Sequence, residues 1–211
     1  EGGDLGKVEC WYVLHTEPGA ELAYGLRTQT TPDAFARAIA ENTLEHLLHI
    51  VPIAPGDVVF VPAGTVHALM AGAMVIEIQQ NSDLTYRVYD WGHLGNDGKP
   101  RLLQIDKALD VIDWTMVQPG LAQPCQISQA NGVTRWELVR CPQFALDKIE
   151  LAPGAAYEGH CNGETFAIWG CIAGQAEVAW AGEPVILPRV RFTLLPAALG
   201  DYAIRASEPT V

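Results

Sequence analysis

The segment from Gly56 to His67 constrains the fold of this chain more than any other. Its sequence is GDVVFVPAGTVH, in which a glycine, five residues, a Pro-x-Gly turn and two further residues lead to His67. Glycine followed by aspartate, directly after a proline, is typical of a tight turn. Residues 58–61 are β-branched or aromatic, which favours a strand, and the following proline ends it. We therefore predict two strands joined by a turn, with His67 at the start of the second.

This spacing resembles the second sequence motif of the cupin β-barrel, with all four fixed positions up to the histidine matched. The asparagine that usually closes the motif is replaced by Ala71. In cupins the histidine points into the barrel and binds a metal. An isolated interior histidine is more often a structural residue with its hydrogen bonds satisfied. It is the match at all four fixed positions that favours a metal ligand at His67.

Composition narrows the classes of protein and partner. The chain has 211 residues, enough for one large or two small domains, and its 49% hydrophobic and 18% charged content is that of a globular protein. A net charge of -12 argues against nucleic acids and anionic membranes as partners, although a local basic cluster could still bind an anionic substrate. No apolar run reaches the roughly 18 residues of a membrane span. The five scattered cysteines include no C-x-x-C pair, and we expect free thiols and a cytoplasmic location.

A predicted strand and a predicted helical insert precede this motif. Residues 7–14 alternate as a strand, so that Lys7, Glu9 and Trp11 share one face. Lys7 and Glu9 could be functional residues inside a barrel or a solvated ion pair on the surface. Thr31 as N-cap before Pro32 predicts a helix start, and a second short helix is predicted through His49, giving an insert over 31–49. His46 and His49 would share a helical face, where packing is favoured over metal binding because no partner ligand is nearby.

After His67 come two segments with candidate functional side chains. Residues 73–80 predict a strand on which Glu77 has apolar neighbours, so its pKa could be raised for proton transfer; the alternative is a solvent-facing glutamate. Residues 85–91 alternate as a further strand. There Arg87 could bind a phosphate or carboxylate, or pair with Asp83 or Asp90.

These segments together resemble the bacterial branch of type I mannose-6-phosphate isomerase. The resemblance runs from Gly6 to about Ala203, and it is most specific in the first half of the chain. Its motifs, in matching order and spacing, are GKVECWY, PAGTVHAL, EIQQ and TYRVYDW, followed by GKPR and IDKALDVI. The family is a zinc-dependent aldose–ketose isomerase that interconverts mannose 6-phosphate and fructose 6-phosphate.

The resemblance implies roles for five residues. Glu9 and His67 correspond to two of the four zinc ligands, and Lys7, Glu77 and Arg87 correspond to residues with substrate or proton-transfer roles. These types suit the chemistry, since a metal ion can polarise the sugar oxygens, a base can move the proton between two carbons, and a cation can hold the phosphate.

One part of the family pattern is absent. The other two zinc ligands of the family lie in a Gln-x-His-Pro motif that occurs nowhere in this sequence. Glu1 to Gly6 resembles the interior of a loop, and we expect a fragment of a longer chain that lacks half of the metal ligands needed for activity. The alternative to an isomerase is a non-catalytic bicupin that binds a sugar phosphate or acts as a regulator. An iron-dependent cupin oxygenase is a weaker third reading, because it gives Glu77 and Arg87 no purpose.

The second half predicts a degenerate cupin. We expect a metal-site domain over 1–117, a Pro- and Gln-rich linker over 118–129 and a second domain over 130–211, an all-β arrangement of two tandem jelly-roll-like barrels. The turns of the cupin motifs persist there, but a second histidine does not. His160, Cys161 and Glu164 could form a site of their own, which the lack of a ligand on the partner strand disfavours. The expected substrate is a phosphorylated hexose, and the sequence does not indicate an oligomeric state.

Overall fold

The computed structural model describes residues 6–95 and 97–211, and it consists mostly of β-strands. The chain separates into two compact units, Glu1–Ala122 and Gln123–Val211. The loop predicted at the start of the chain falls largely on residues 1–5, which lie outside the described residues. No helix in the described ranges is long and apolar enough to cross a membrane.

The first unit combines two small sheets with two helices. Its strands are β1 (Glu9–Thr16), β2 (Glu21–Leu26), β3 (Leu48–Pro52), β4 (Val58–Val61), β5 (His67–Leu69) and β6 (Ala73–Gln79), and its helices are α1 (Pro32–Ala40) and α2 (Ile105–Val111). One antiparallel sheet has the order β4-β1-β6 and the other has the order β3-β2-β5. The strands predicted around Glu9, Val58, His67 and Glu77 are thus confirmed.

The two sheets pack face to face around an apolar core. Trp11, Val13 and Val59 from the first sheet pack with Leu22 and Tyr24 from the second, and all five are buried. The Tyr24 hydroxyl also donates a hydrogen bond to the carbonyl of Phe60, which ties the sheets together. Side chains alternate along a strand, so Trp11 and Val13 share the face of β1 that points into this core, and Leu22 and Tyr24 share the inward face of β2.

The other face of the β3-β2-β5 sheet is covered by the helical insert. Thr31 caps α1 by accepting a hydrogen bond from the Ala34 backbone N–H at 3.2 Å, and Pro32 occupies the first turn, as predicted. Phe35 on this helix is fully buried with Leu26 and Leu44 in a second core. Residues 22–26 of β2, the central strand of the sheet that carries His67, are therefore buried on both faces.

Two predictions for this unit are wrong. The second helix of the insert is only a 3-10 turn, Leu44–Leu47, after which Leu48 turns extended and pairs with Leu26. His49 therefore lies on β3, and His46 and His49 share no helical face. No strand forms over residues 85–91 in the described chain. Instead, the backbone N–H of Arg87 binds the side chain of Gln104, and its carbonyl accepts from the Gln104 backbone.

The second unit contains nine described strands. They are β7 (Cys125–Ala130), β8 (Val133–Arg140), β9 (Ala145–Leu151), β10 (Ala156–Cys161), β11 (Ala167–Cys171), β12 (Gln175–Ala179), β13 (Val185–Pro188), β14 (Arg191–Leu195) and β15 (Gly200–Ala206). They form three sheets, β7-β8-β9, β10-β15-β12-β13 and β11-β14. Val178, Ile204 and Cys171 lie at the centre of its core. Strand β7 starts inside the predicted linker, and the limits of the domains remain a prediction.

Candidate functional site

Pairing between β1 and β6 brings Glu9 and Trp11 next to Gln79 and Glu77. Glu9 lies opposite Gln79, and Trp11 lies opposite Glu77 in the antiparallel ladder. Directly opposed residues project from the same face of a sheet. That face also carries Lys7, whose ammonium Nζ is 2.6 Å from Glu9 Oε1.

The Pro-x-Gly turn leads into His67, which begins β5 on the opposing sheet. Gly64 has φ +83°, and a Cβ at this position would stand 2.6 Å from the carbonyl oxygen of Val111 at the end of α2. Only glycine fits such a backbone without strain or collision. The Gly64 carbonyl in turn accepts a hydrogen bond from the Asp113 backbone N–H at 2.9 Å. Gly64 thus allows the turn to pack closely against the end of α2, three residues before β5 begins at His67.

Glu9 and His67 meet between the two sheets. The Oε2 atom of Glu9 lies 3.6 Å from Nε2 of His67, and Glu9 is only 3% exposed. Nδ1 of His67 is 2.8 Å from the Thr65 carbonyl, which can only accept, so Nδ1 carries the proton. Nε2 is then the ring nitrogen that lies on the side of Glu9. The Trp11 ring packs edge-on against the imidazole, with centroids 5.4 Å apart, and fixes its plane.

The buried Glu9 carboxylate is stabilised in its charged form. Burial on its own would raise the pKa of Glu9, but the hydrogen bond from Lys7, the charge of His67 and contact with Glu77 together lower that pKa below its ordinary value. Lys7 also donates to Gln79 Oε1 at 3.0 Å. The ammonium therefore bridges the two opposed residues, Glu9 and Gln79.

Glu77 has the opposite electrostatic environment. Desolvation raises the pKa of Glu77, and the adjacent Glu9 carboxylate raises it further, against smaller opposing effects of Trp11 and Lys7. Two neighbouring carboxyl groups with pKa values displaced in opposite directions are suited to separate tasks, one as a permanent anion and the other as a proton carrier. Glu77 is exposed while Glu9 is buried, so of the two carboxyl groups Glu77 is the one that solvent or a ligand can reach.

Glu9 and His67 have the chemistry of metal ligands. Two tetrahedral zinc ligands at the usual bond lengths stand about 3.4 Å apart, close to the observed 3.6 Å. The Nδ1 hydrogen bond to a carbonyl is the outer contact that metal-binding histidines usually make. Across residues 6–95 and 97–211, however, no group of three or more His, Cys, Asp or Glu side chains is arranged to hold an ion. The pair fits half of a site of four ligands.

Arg87 has an acidic side chain as its ion-pair partner. Its Nε lies 3.8 Å from Asp90 Oδ1, one of the partners that the sequence left open. Asp90 also binds Arg101, whose Nε donates to Oδ2 at 2.6 Å, and this hydrogen bond holds the pKa of Asp90 below its usual value. Within the described chain, no hydrogen bond or ion pair joins Arg87 to Lys7, Glu9, His67 or Glu77. Arg101, the last residue of the GKPR motif, is thus part of a cluster around Asp90.

The residues of the second unit singled out by sequence do not converge. His160 lies on the outer face of β10, where Nδ1 is 2.6 Å from Asp201 Oδ1, whereas the adjacent Cys161 is buried in the core. Glu164 is exposed in the loop that follows.

The sequence analysis gave no role to Gln79 or Trp11 and did not connect Asp90 with Arg101. Strand alternation does place Gln79 beside Glu77 and Trp11 beside Glu9, so a pattern for these two was present. Asp90 was considered only as a partner for Arg87, and its pairing with Arg101 depends on a loop that has no periodic signal.

The fold and the site define a class of protein. Two packed antiparallel sheets, a Pro-x-Gly turn and an inward-facing histidine beside a buried carboxylate are those of an all-β, cupin-like protein. No family model matches the chain.

Comparison with individual proteins is more specific. The chain is 32% identical over 207 residues to a probable mannose-6-phosphate isomerase of Bacillus subtilis, covering 98% of this chain and 64% of that protein. It is 33% identical over 211 residues to the mannose-6-phosphate isomerase of Streptococcus mutans, covering 97% and 65%. The crystal structure of the mannose 6-phosphate isomerase from Bacillus subtilis superposes with a TM-score of 0.84 at 33% identity, over 98% of this chain and 63% of that one. The chain is a homologue of the mannose-6-phosphate isomerases, and it spans a little under two thirds of their length.

Proposed function

We propose that this chain carries part of the active site of an aldose–ketose isomerase that interconverts mannose 6-phosphate and fructose 6-phosphate. The observation that carries the proposal is the meeting of Glu9 and His67 at 3.6 Å between the sheets, next to a second carboxyl group with a raised pKa. The homologues support the choice of reaction and of a phosphorylated hexose as substrate.

Glu9 and His67 are proposed to hold a zinc ion together with ligands that the described residues do not supply. When bound, zinc would polarise the oxygens on the two sugar carbons that exchange a proton. Glu77 is proposed as the group that takes and returns that proton, because desolvation and the Glu9 carboxylate raise its pKa and so make its carboxylate a stronger base than that of an ordinary glutamate. The buried Glu9 remains an anion throughout.

Lys7 and Arg87 provide the positive charge that an anionic substrate needs. Lys7 donates to Glu9 and Gln79 and would stabilise negative charge that develops on a sugar oxygen. Arg87 is held by Asp90 only at 3.8 Å, while Arg101 holds the same carboxylate more closely, so Arg87 can turn towards a phosphate without leaving Asp90 unpaired.

The finer fold belongs to this proposal. The two compact units are proposed as two cupin barrels, a metal-site domain over about 1–117 and a degenerate domain over about 130–211, joined by residues 118–129. The second unit lacks a histidine at the position that His67 occupies in the motif, which supports a structural role. A cytoplasmic location remains a prediction.

The test measures metal and activity in two proteins. The first is the purified chain, and the second is a chimaera in which the residues of the Streptococcus mutans relative that lie before its matched region precede residue 1. Each is assayed for bound zinc and for conversion of mannose 6-phosphate to fructose 6-phosphate. We expect near-stoichiometric zinc and isomerase activity in the chimaera, with both lost in its His67→Gln variant.

A folded chimaera with neither zinc nor activity would overturn the proposal. Binding of the sugar phosphate without conversion would instead support a non-catalytic binding protein.

A further inference from the structure

The ammonium of Lys7 lies between two acceptors on neighbouring strands. Nζ is 2.6 Å from Glu9 Oε1 and 3.0 Å from Gln79 Oε1, and Glu9 and Gln79 are directly opposed in the β1–β6 ladder. The Lys7 side chain is only 15% exposed. A lysine ammonium sits on a flexible four-carbon stem, so a single contact leaves it free to swing. Two acceptors anchored on one sheet define a single position for the charge.

We propose that Gln79 is a positioning residue of the site: its amide oxygen holds the Lys7 ammonium against Glu9 and beside Glu77. Its meaning for catalysis rests on the proposed isomerase function, but the contact itself can be tested independently.

The chemical type at position 79 is informative. A glutamate there would also accept from Lys7, but it would add a third carboxylate next to Glu9 and Glu77. Like charges at this distance disfavour one another's ionised forms. A neutral amide supplies an acceptor without adding charge, and its other end remains a donor for a ligand.

The neighbouring Gln80 binds the backbone of Val8, whereas Gln79 binds the side chain of Lys7. The side-chain Oε1 of Gln80 accepts from the Val8 backbone N–H at 2.9 Å, and its own backbone N–H donates to the Val8 carbonyl at 3.1 Å. Gln80 thus fixes the backbone between Lys7 and Glu9. The backbone is held by one glutamine, and the lysine side chain by the other.

The chain is well suited to a direct measurement of Lys7. It contains four lysines, at positions 7, 99, 107 and 148. In a metal-free sample labelled with 15N-lysine, ammonium groups held by hydrogen bonds exchange slowly and give resolved Nζ signals, and the Lys7 signal is identified by its loss in Lys7→Met. The variants are Gln79→Met, which removes the acceptor, Gln79→Glu, which keeps it, and Gln175→Met, a matched change on an exposed position of β12.

We expect Gln79→Met to abolish the protected Lys7 signal, and Gln79→Glu and Gln175→Met to retain it. Gln79→Ser, whose side chain is too short to reach Lys7, replaces Gln79→Met if the latter does not fold. An unchanged Lys7 signal in a folded variant without the acceptor would overturn the proposal.

A second arm links the contact to turnover. In the chimaera with the relative's upstream segment, Gln79→Met should lower kcat about 10- to 150-fold, the size expected for one hydrogen bond to a charged group, with little change in KM. An equal fall in Gln175→Met, or a rise in KM at constant kcat, would contradict the positioning role. If no version isomerises the sugar while the Lys7 signal behaves as expected, the isomerase function fails and the placement of Lys7 by Gln79 stands.

Discussion

Glu9 Oε2 and His67 Nε2 stand 3.6 Å apart although they come from different sheets, one from β1 and the other from the start of β5. The imidazole is oriented by the Thr65 carbonyl on one side and by the edge of Trp11 on another. A buried carboxylate and an imidazole nitrogen are therefore held at the separation that we propose for two ligands of one cation.

Replacing His67 should weaken metal binding. Loss of a partner that only orients a ligand costs about 10- to 100-fold in affinity, and loss of the ligand itself should cost at least as much. We expect His67→Gln to reduce zinc affinity by about 100-fold or more, measured by competition with a chelating dye. His160→Gln, which changes the exposed histidine beside Asp201, is the control and should bind zinc as the parent does. Equal affinities in both variants would remove His67 from the site.

Removing the charge of Glu9 should lower the pKa of Glu77. Desolvation and the Glu9 carboxylate both raise that pKa, and only the second is lost in Glu9→Gln. The measurement is a 13C-carboxyl NMR titration of the metal-free protein. In the parent, the raised pKa means that the folded state binds the proton more tightly than the unfolded state. The stabilisation from protonating Glu77 is therefore complete below its ordinary pKa of about 4.3 and is lost as pH rises through the folded value. A Glu77 pKa that does not move in Glu9→Gln would show that burial alone displaces it.

Arg87 should contribute to phosphate binding. A hydrogen bond to a charged group is worth about 1.5–3 kcal/mol, so Arg87→Gln should raise the Kd for mannose 6-phosphate about 10- to 150-fold in calorimetry. Arg205→Gln, which disrupts an exposed pair with Glu177, is the matched control and should leave the Kd unchanged. A Kd for mannose alone that rises as much as that for its phosphate would assign Arg87 to the sugar instead.

Phe35 should be the most costly position of the helical insert to truncate. It is fully buried in the core that supports the sheet of His67, and its ring meets Trp114 edge-on at 5.5 Å. Phe35→Ala should lower the free energy of unfolding by about 3–5 kcal/mol, the usual cost of a large cavity. Denaturant unfolding monitored by tryptophan fluorescence measures it. Phe166→Ala, at a ring that is 56% exposed, should change stability by less than about 1 kcal/mol.

The strands that carry the site were predictable because their signals are local. Alternation places Glu9 with Trp11, and Glu77 with Gln79, and the turn before His67 is set by proline and glycine. The cap at Thr31 likewise defines the start of α1 from four residues. That Glu9 would face His67 came from the family resemblance, because alternation within a strand does not say which sheets pack together.

Other features depend on contacts that no local pattern encodes. The residues from Leu48 onwards continue a helical pattern, yet pairing with β2 draws them into a strand. Tyr89 and Val88 pack on the helical core, and the backbone of Arg87 pairs with Gln104, so an alternating segment forms no strand. In both places tertiary packing overrides local propensity.

The seat of Gly64 under the end of α2 links two regions that are distant in the chain. A side chain at Gly64 would strike the Val111 carbonyl, and the Gly64 carbonyl is itself bound by Asp113. A change in the pitch or length of α2 would thus be transmitted through three residues to the tilt of the imidazole. Substitutions at the carboxyl end of α2 should therefore be tolerated only together with compensating substitutions in the Pro-x-Gly turn. The end of the helix thus determines the orientation of the His67 ring.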